Sequence, residues 1–281
     1  MNFNEIILGI EMGLIYGIVA IGIYITFRII DFPDLTCDGS FVLGGAVTST
    51  LIKANCNPWV ALIIAMVSGG IAGSVTGVLH AYFKVTDLLA GILVGFMLYS
   101  VNLYIMNNTP NIVLIQSKTI FEDFNIIMVV SIIAGLICIL YNYLLITDFG
   151  LALRSVGQNK KLARNSGLNV QAFVIIGLIL SNALIALSGA IFTQHQRFAD
   201  VGSGVGTVIV GLASVMIGEK ILPYRSIMVQ LISCLLGSII YRLLISFALH
   251  SEVLGLETQN LNLLTGIMVI MVMYMSRKRA C

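Results

Sequence analysis

Long apolar runs separated by short polar breaks are the main feature of the sequence. A helix needs about 20 apolar residues to cross a hydrocarbon core of about 30 Å, and runs of that length recur from one end of the chain to the other. The runs are continuous rather than alternating, which favours membrane helices over a β-barrel. The pattern therefore predicts an all-α polytopic membrane protein.

We predict nine spans, and two of them are short and rich in Gly and Ser. The spans lie at roughly 6–30, 35–52, 59–83, 88–106, 124–147, 171–193, 203–218, 226–249 and 263–275. The count falls to eight if 35–52 or 203–218 only re-enters the membrane. The first run is too long for the apolar core of a cleaved signal peptide, so it is kept as a mature span.

Composition supports this class and excludes a soluble globule. Of the 281 residues, 58% are hydrophobic and only 10% are charged, with a mean hydropathy of +1.02. Soluble domains carry about 25% charged residues. The five cysteines are scattered without metal or disulfide spacing, and Cys138 and Cys234 sit inside apolar runs, which indicates simple packing.

One long polar interval, 149–171, interrupts the apolar pattern. It holds four of the fifteen Lys and Arg residues, namely Arg154, Lys160, Lys161 and Arg164. Gly150 and Gly167 bracket a length that fits a short helix on the membrane surface, with Gly167 in a helix-ending position. Such a helix can occupy a groove on a partner. The alternative is a solvated basic loop that only orients the protein.

The distribution of positive charge orients the spans. With 148–170 in the cytosol, eleven Lys and Arg residues lie inside, three lie outside and Arg242 stays within a span. The inside set is Arg28, Lys84, Arg154, Lys160, Lys161, Arg164, Lys220, Arg225, Arg277, Lys278 and Arg279; the outside set is Lys53, Lys118 and Arg197. The expected N-terminus is therefore outside and the C-terminus is cytoplasmic.

Two polar breaks, 31–40 and 198–206, fall at corresponding places in the chain. Each follows a long span and precedes a short one, which is typical of the solute path in transporters with inverted repeats. We therefore predict a single transmembrane domain, 1–281, with repeat A at about 6–106, a linking span at 124–147, a coupling segment at 149–170 and repeat B at about 171–275.

Polar residues at these breaks and inside the spans are candidates for the path of a solute. They are Asp34, Thr36, Asp38, Ser40, Tyr99, Asn102, Asn182 and Asp200. Two ordinary readings stay open, because the breaks also fit plain loops with capping residues and a membrane Asn also bonds neighbouring helices.

Four segments together resemble the permease subunit of bacterial ABC importers of the branched-chain amino-acid and ribose type. They are 20–22 running into 34–40, 77–79 running into 88–90, 150–159 with 163–168, and 206–218. The likeness covers nearly the whole chain, and 150–168 is its most specific part. The segments 31–36 and 197–202 look like the branch associated with aromatic amino acids such as tryptophan and tyrosine. Cys37 and Cys281 depart from the pattern of the family.

The resemblance implies partners for this chain. In that family the 150–168 segment is a coupling helix that docks on a cytosolic ATPase, present in two copies, which carries the ATP and Mg. The matching residues here are Arg154, Gly157, Gln158, Asn159, Lys160, Arg164 and Gly167. A periplasmic or lipid-anchored solute-binding protein and a second permease are also implied, in the bacterial inner membrane. A homodimer of permeases is the simplest arrangement, although paired, non-identical permeases also occur.

The residues themselves suggest no catalytic role. No GxxxxGK[ST] phosphate loop occurs, His80, His195 and His250 lack ligand spacing, and no nucleophile has a base near it in sequence. We therefore expect a transport subunit without enzyme activity, cofactor, metal or nucleic-acid partner. The alternatives are an ion-driven secondary transporter or channel, with Asp34, Asp38 and Asp200 as ion sites, and a non-transporting scaffold.

Overall fold

A computed structural model describes residues 3–115, 117–122, 125–222 and 226–249, together with 266, 267 and 270. Helices dominate this part of the chain, and the predicted all-α class is confirmed. The elements of the first half are α1 (Phe3–Tyr24) with a π-helical end (Ile25–Ile29), α2 (Thr36–Lys53), α3 (Pro58–Ala81), α4 (Asp87–Ile105), β1 (Asn111–Val113) and α5 (Ile126–Ile146). Those of the second half are α6 (Asp148–Gln158), α7 (Lys160–Asn165), α8 (Val170–Gln196), β2 (Phe198–Asp200), a 3₁₀ turn (Val201–Gly204), α9 (Thr207–Ile221) and α10 (Ile227–Leu249).

Seven helical segments in the described ranges are long and apolar enough to cross a membrane, close to the predicted count. They are Asn4–Ile29, Pro58–Ala81, Asp87–Ile105, Ile126–Ile146, Val170–Gln196, Val201–Ile221 and Ile227–Ala248. The predicted span 35–52 is the 18-residue helix α2, which is less apolar than these segments because it contains Asp38 and Lys53 as well as several Thr, Ser and Gly residues. The predicted span 263–275 lies almost entirely outside the described residues.

The first polar break follows a change in helix geometry. The last turn of α1 widens into a π-helix, and the amide of Ile30 bonds the carbonyl of Ile25 at 3.0 Å. Asp31 then takes a positive φ of 50°, and the chain stays non-helical until Thr36. Pro33 lacks an amide proton and disfavours helical geometry in the residue before it. The break predicted at 31–40 is therefore real, but its last five residues belong to α2.

The chain divides into two compact units, each built from separate segments. The larger comprises Gly22–Ile126 and Tyr143–Val208. Within it, α2 and α8 approach until their backbones touch: a Cβ on Gly44 would overlap the carbonyl of Ala186, and one on Gly189 would overlap the carbonyl of Phe41. Small residues are the usual means by which membrane helices approach closely. This contact brings the residues just after the first break close to the middle of α8.

The smaller unit comprises Met1–Ile21, Ile127–Asn142 and Ile209–Cys281. Here too glycines set the packing: a Cβ on Gly218 would overlap the carbonyl of Ser233, and one on Gly237 would overlap that of Ser214. The guanidinium of Arg242 lies 3.9 Å from the centre of the Tyr16 ring. The intramembrane charge singled out in the sequence thus has an aromatic contact.

A two-stranded antiparallel sheet joins the 107–123 segment to the second break. Ile112 pairs with Ala199 in the middle of this sheet, and both are buried with Met106 and Leu114 in one apolar cluster. Both places lie outside the predicted spans, and no strand was predicted at either of them. The same cluster includes Val42, Ala46 and Ile52, so the sheet packs against α2.

Candidate functional site

A fully buried polar cluster surrounds Asp34 in the larger unit. The Nδ2 group of Asn182 donates to Asp34 Oδ2 at 2.7 Å, and the amide of Thr36 donates to Asp34 Oδ1 at 2.8 Å. Ser40 Oγ donates to Asn182 Oδ1 at 2.7 Å, and the hydroxyls of Thr36 and Thr76 lie 2.7 Å apart. All five residues have no exposed surface.

The cluster joins the first break to α3 and α8. A buried carboxylate is costly unless donors replace the water that it loses, and here an amide, a side-chain amide and the thiol of Cys37, at 3.6 Å, supply them. Asn182 also donates to the carbonyl of Leu178 at 3.0 Å, within its own helix. These residues therefore close the first break onto α8.

Asp38 connects the first break to the second. Its Oδ1 accepts from the amide of Val208 at 2.9 Å, and its Oδ2 accepts from the amide of Gly206 at 3.3 Å. The carboxylate thus caps the start of α9, where amides have no partner within the helix. Gly204 lies against the carbonyl of Asp38, and a Cβ there would overlap it. Two breaks that are remote in sequence meet at one side chain.

The predicted path residues fall into three groups. Asp34, Thr36, Ser40 and Asn182 form the closed cluster. Asp38, Tyr99 and Asn102 line a cavity of about 110 Å³ beside the second break. Asp200 is apart from both, because its Oδ1 accepts from the amide of Gly202 at 2.6 Å and caps the local 3₁₀ turn.

The polar interval 149–171 forms two short helices, where the sequence indicated one. Asn159 breaks the helix with an extended backbone, φ −156° and ψ 95°, and its side chain then caps α7 by accepting from the amides of Lys161 and Leu162. Gly167 has a φ of 84°, in the region that favours glycine. Its predicted helix-ending position is confirmed.

The predicted coupling residues do not all face outward. Gln158, Asn159, Arg164 and Gly167 are exposed, and the apolar side chains of Leu151 and Leu162 are exposed beside them, at 53% and 63%. Arg154, Gly157 and Lys160 are half-buried. The exposed surface of this segment is therefore a mixture of amide, basic and leucine side chains.

Gly157 and Lys160 attach this segment to the helices around it. A Cβ on Gly157 would overlap the carbonyl of Ile29, so α6 rests on the π-helical end of α1 at this point. Lys160 Nζ lies 3.9 Å from Asp87 Oδ2, while Asp87 Oδ1 lies 3.0 Å from His80 Nδ1. The His80 ring in turn meets the edge of Phe32, with centroids 5.2 Å apart. Both contacts lead from α6 and α7 to the first break.

A larger cavity, of about 720 Å³, lies beside α7. Its polar lining consists of His80, Lys84, Thr86, Asp87, Lys160, Arg164 and Gln171. The Nε2 group of Gln171 donates to the carbonyl of Ala81 at 3.0 Å, closing one side. Basic groups outnumber the single carboxylate here.

Several residues of the site were missed in the sequence. Thr76, Cys37 and Ser181 contribute to the buried polar contacts, Ser181 by donating to the carbonyl of Gly22 at 2.8 Å. A hydroxyl within an apolar run is a weak signal, because Ser and Thr also bond the carbonyl of their own helix. His80 was interpreted as a packed or interfacial residue rather than a metal ligand, and its contacts with Asp87 and Phe32 were not predicted.

Residues 6–273 match the family described as branched-chain amino acid transport system / permease component. The chain belongs to this permease family. The tyrosine transport system permease protein of Clostridioides difficile (strain R20291) is 39% identical over 268 residues, covering 95% of this chain and 90% of the relative.

Two further relatives have lower sequence identity to this permease. An uncharacterised protein of Rickettsia prowazekii (strain Madrid E) is 34% identical over 273 residues, 95% of each chain. The ribose import permease protein of Escherichia coli (strain K12) is 28% identical over 192 residues, which are 66% of this permease and 60% of that protein. No solved structure matches the chain.

Proposed function

We propose that this chain is the membrane subunit of an ATP-driven importer that passes an amino acid, of the aromatic type, into the bacterial cytosol. Family membership carries the transport role, and the tyrosine permease relative supports the substrate class. The N-terminus lies outside and the C-terminus in the cytosol, as the distribution of Lys and Arg indicates.

The surface of α6 and α7 supports coupling to an ATPase. Exposed Leu151 and Leu162 offer apolar area, while Lys161 and Arg164 add positive charge around it. Gly157 and Lys160 connect that surface to the first break. Movement of a docked ATPase would therefore reach the break without passing through a flexible loop.

A complete importer of this kind needs partners that this chain does not supply. The described part of the chain carries one such surface, so two ATPase subunits would need a second permease. Another copy of this chain is the simplest choice. ATP and Mg belong to the ATPase. A separate solute-binding protein, periplasmic or lipid-anchored, presents the amino acid, and the lipid bilayer surrounds the spans.

The test is tyrosine uptake by the complete transporter in proteoliposomes. Uptake requires ATP inside the vesicles and the binding protein outside, and the double change Lys161→Glu, Arg164→Glu lowers it at least tenfold with loss of ATPase from the purified complex. Lys53→Glu is the matched control, because Lys53 is exposed at the end of α2 that is predicted to be external.

Two outcomes would contradict this proposal. Uptake driven by an imposed ion gradient without ATP would favour a secondary transporter. Full ATPase association in the Lys161→Glu, Arg164→Glu variant would remove α7 from the docking surface.

A further inference from the structure

The cavity beside α7 lies where three membrane helices begin or end. Its wall includes Ala81, the last residue of α3, Asp87, the first residue of α4, and Val170, the first residue of α8. All three helices are long and apolar enough to cross a membrane. Tyr82 and Phe83 follow α3 directly and are both 70% exposed, and aromatic side chains are enriched at the headgroup level of a bilayer. The cavity therefore lies at the depth of lipid headgroups.

The carboxylate of this cavity is already paired, whereas two of its cations are not. Asp87 Oδ1 lies 3.0 Å from His80 Nδ1, and Asp87 Oδ2 lies 3.9 Å from Lys160 Nζ. Lys84 and Arg164 also line the cavity and are exposed. Neither of them forms an ion pair within the described part of the chain. The wall therefore has positive charge available for an anion.

Lys84 occupies a backbone position that favours glycine. Its φ is 56°, in the left-handed region, and it lies in the turn that follows the end of α3. Helices often end on a residue in this conformation, and glycine is the usual choice because it has no Cβ. The backbone gives no reason for a lysine here, so we attribute its presence to the charge that it brings to the cavity.

The size and the apolar part of the wall fit a headgroup that is attached to a lipid. The cavity measures about 720 Å³, and pockets for small molecules measure about 300–1,000 Å³. Pro33, Val85 and Leu88 add apolar wall beside the basic groups, and Leu88 is 49% exposed. The side chain of Thr86 does not cap α4, so its hydroxyl can donate to a ligand. A phosphate with an apolar attachment can use both parts of this wall, whereas a free phosphate uses only the polar part.

We propose that this cavity binds the phosphate group of an anionic membrane lipid, with Lys84 and Arg164 as its charged partners. Basic pockets between membrane helices take anionic headgroups in other proteins. The bound lipid joins the turn after α3 to α7, beside the contact between Lys160 and Asp87. This site depends on neither the transported solute nor the ATPase, so it is independent of the proposed function.

The test is protection of a cysteine placed in the cavity. Thr86 lines the cavity and is exposed, so Thr86→Cys, in a full-length chain with Cys56→Ser and Cys281→Ser, reacts with methyl methanethiosulfonate in nanodiscs. Ser166→Cys is the reference for general effects of a charged bilayer, because Ser166 is exposed after α7 and does not line the cavity. Replacing phosphatidylcholine by phosphatidylglycerol should slow labelling of Thr86→Cys, relative to Ser166→Cys, at least about threefold. Mass spectrometry of the labelled peptides measures both rates.

Variants of Lys84 assign the protection to the cavity. Lys84→Gly removes the charge and suits the φ of 56°, so the chain keeps its fold and loses the protection. Lys84→Arg keeps the charge and the protection. Lys161→Gln is the matched control and keeps the protection, because Lys161 is exposed on α7 but does not line the cavity. Arg164 stays unchanged in these variants, since it also belongs to the proposed docking surface.

Several outcomes would overturn the lipid site. Equal relative rates in the two lipids, or the same loss of protection in Lys161→Gln as in Lys84→Gly, would leave only general attraction to a charged bilayer. Equal protection by millimolar inorganic phosphate in phosphatidylcholine nanodiscs would make the ligand a free phosphate. Protection in the complete transporter in phosphatidylcholine would assign the cavity to the ATPase. Because the labelling needs no transport, failed uptake would refute the importer function and leave the lipid site standing.

Discussion

Asn182 is a residue on which the closure of the first break depends. Its side chain makes bonds to Asp34, Ser40 and the carbonyl of Leu178. Replacing it by leucine leaves a buried carboxylate without its 2.7 Å donor. Hydrogen bonds to charged groups contribute about 1.5–3 kcal/mol each, so the loss is large for one side chain.

We expect Asn182→Leu to lower the free energy of unfolding by about 2–3 kcal/mol, as measured by equilibrium unfolding in mixed micelles. Asn142→Leu removes an amide of the same size whose Oδ1 is already unpaired, and it lowers this free energy by less than about 1 kcal/mol. Equal losses in the two variants would mean that the buried cluster contributes no particular stability.

The polar residues of the buried cluster could be identified from the sequence, but their arrangement could not. Asp34, Thr36 and Ser40 were identified because they fall in a polar break between two spans, and Asn182 because it is a polar residue within a span. The four residues lie together. Their division into a closed cluster and a separate cavity was not foreseen. It depends on the rotation of α2, α4 and α8 about their axes, which a run that is apolar on all sides does not specify.

At the scale of elements, the contact between α6 and the end of α1 connects the proposed coupling surface to the helix that precedes the first break. Gly157 permits it, because any Cβ would meet the carbonyl of Ile29. Alanine has a helix propensity about 1 kcal/mol better than that of glycine. We expect this gain to be smaller than the packing energy that is lost when α6 moves away from α1.

Gly157→Ala should therefore lower the uptake rate at least fivefold while the permease remains folded, as judged by size-exclusion chromatography. Gly135→Ala is the matched control, since Gly135 lies within α5 and a Cβ there meets nothing within 4 Å. It should leave uptake within twofold and raise thermal stability slightly. Normal uptake by Gly157→Ala would show that this contact is not needed for coupling.

The membrane helices could be predicted because each one corresponds to a continuous apolar run in the sequence. Most predicted spans match helices within a few residues, because an apolar run of spanning length has few alternatives. The break in the coupling segment at Asn159 was missed, since asparagine is both tolerated within a helix and favoured as a cap. The pairing of β1 with β2 joins segments more than 80 residues apart, and three-residue strands carry no pattern of their own.

At the scale of the whole molecule, the prediction with the widest consequences is orientation. Native cysteines allow a direct test, because Cys56 is exposed between α2 and α3 while Cys37, Cys138 and Cys234 are buried. In a Cys281→Ser chain, a membrane-impermeant maleimide should label Cys56 in intact spheroplasts.

The reverse result is expected in the coupling segment. With Cys56→Ser and Cys281→Ser, a cysteine placed at exposed Ser166 should be labelled only after permeabilisation. Labelling of Ser166→Cys in intact spheroplasts would invert the topology and place α6 and α7 out of reach of a cytosolic ATPase. The inverted relation between repeats A and B stays a prediction.

The cap that Asp38 places on α9 also has a consequence for how the chain is made. The acceptor and the Val208 amide are 170 residues apart, and backbone amides left unpaired in hydrocarbon cost several kcal/mol each. Because synthesis starts at the N-terminus, the Asp38 carboxylate is already in the membrane when α9 is inserted, and it can accept from the Val208 amide. A second half produced alone, from α8 onward, would lack this acceptor and should be a target for membrane proteases until the first half is supplied.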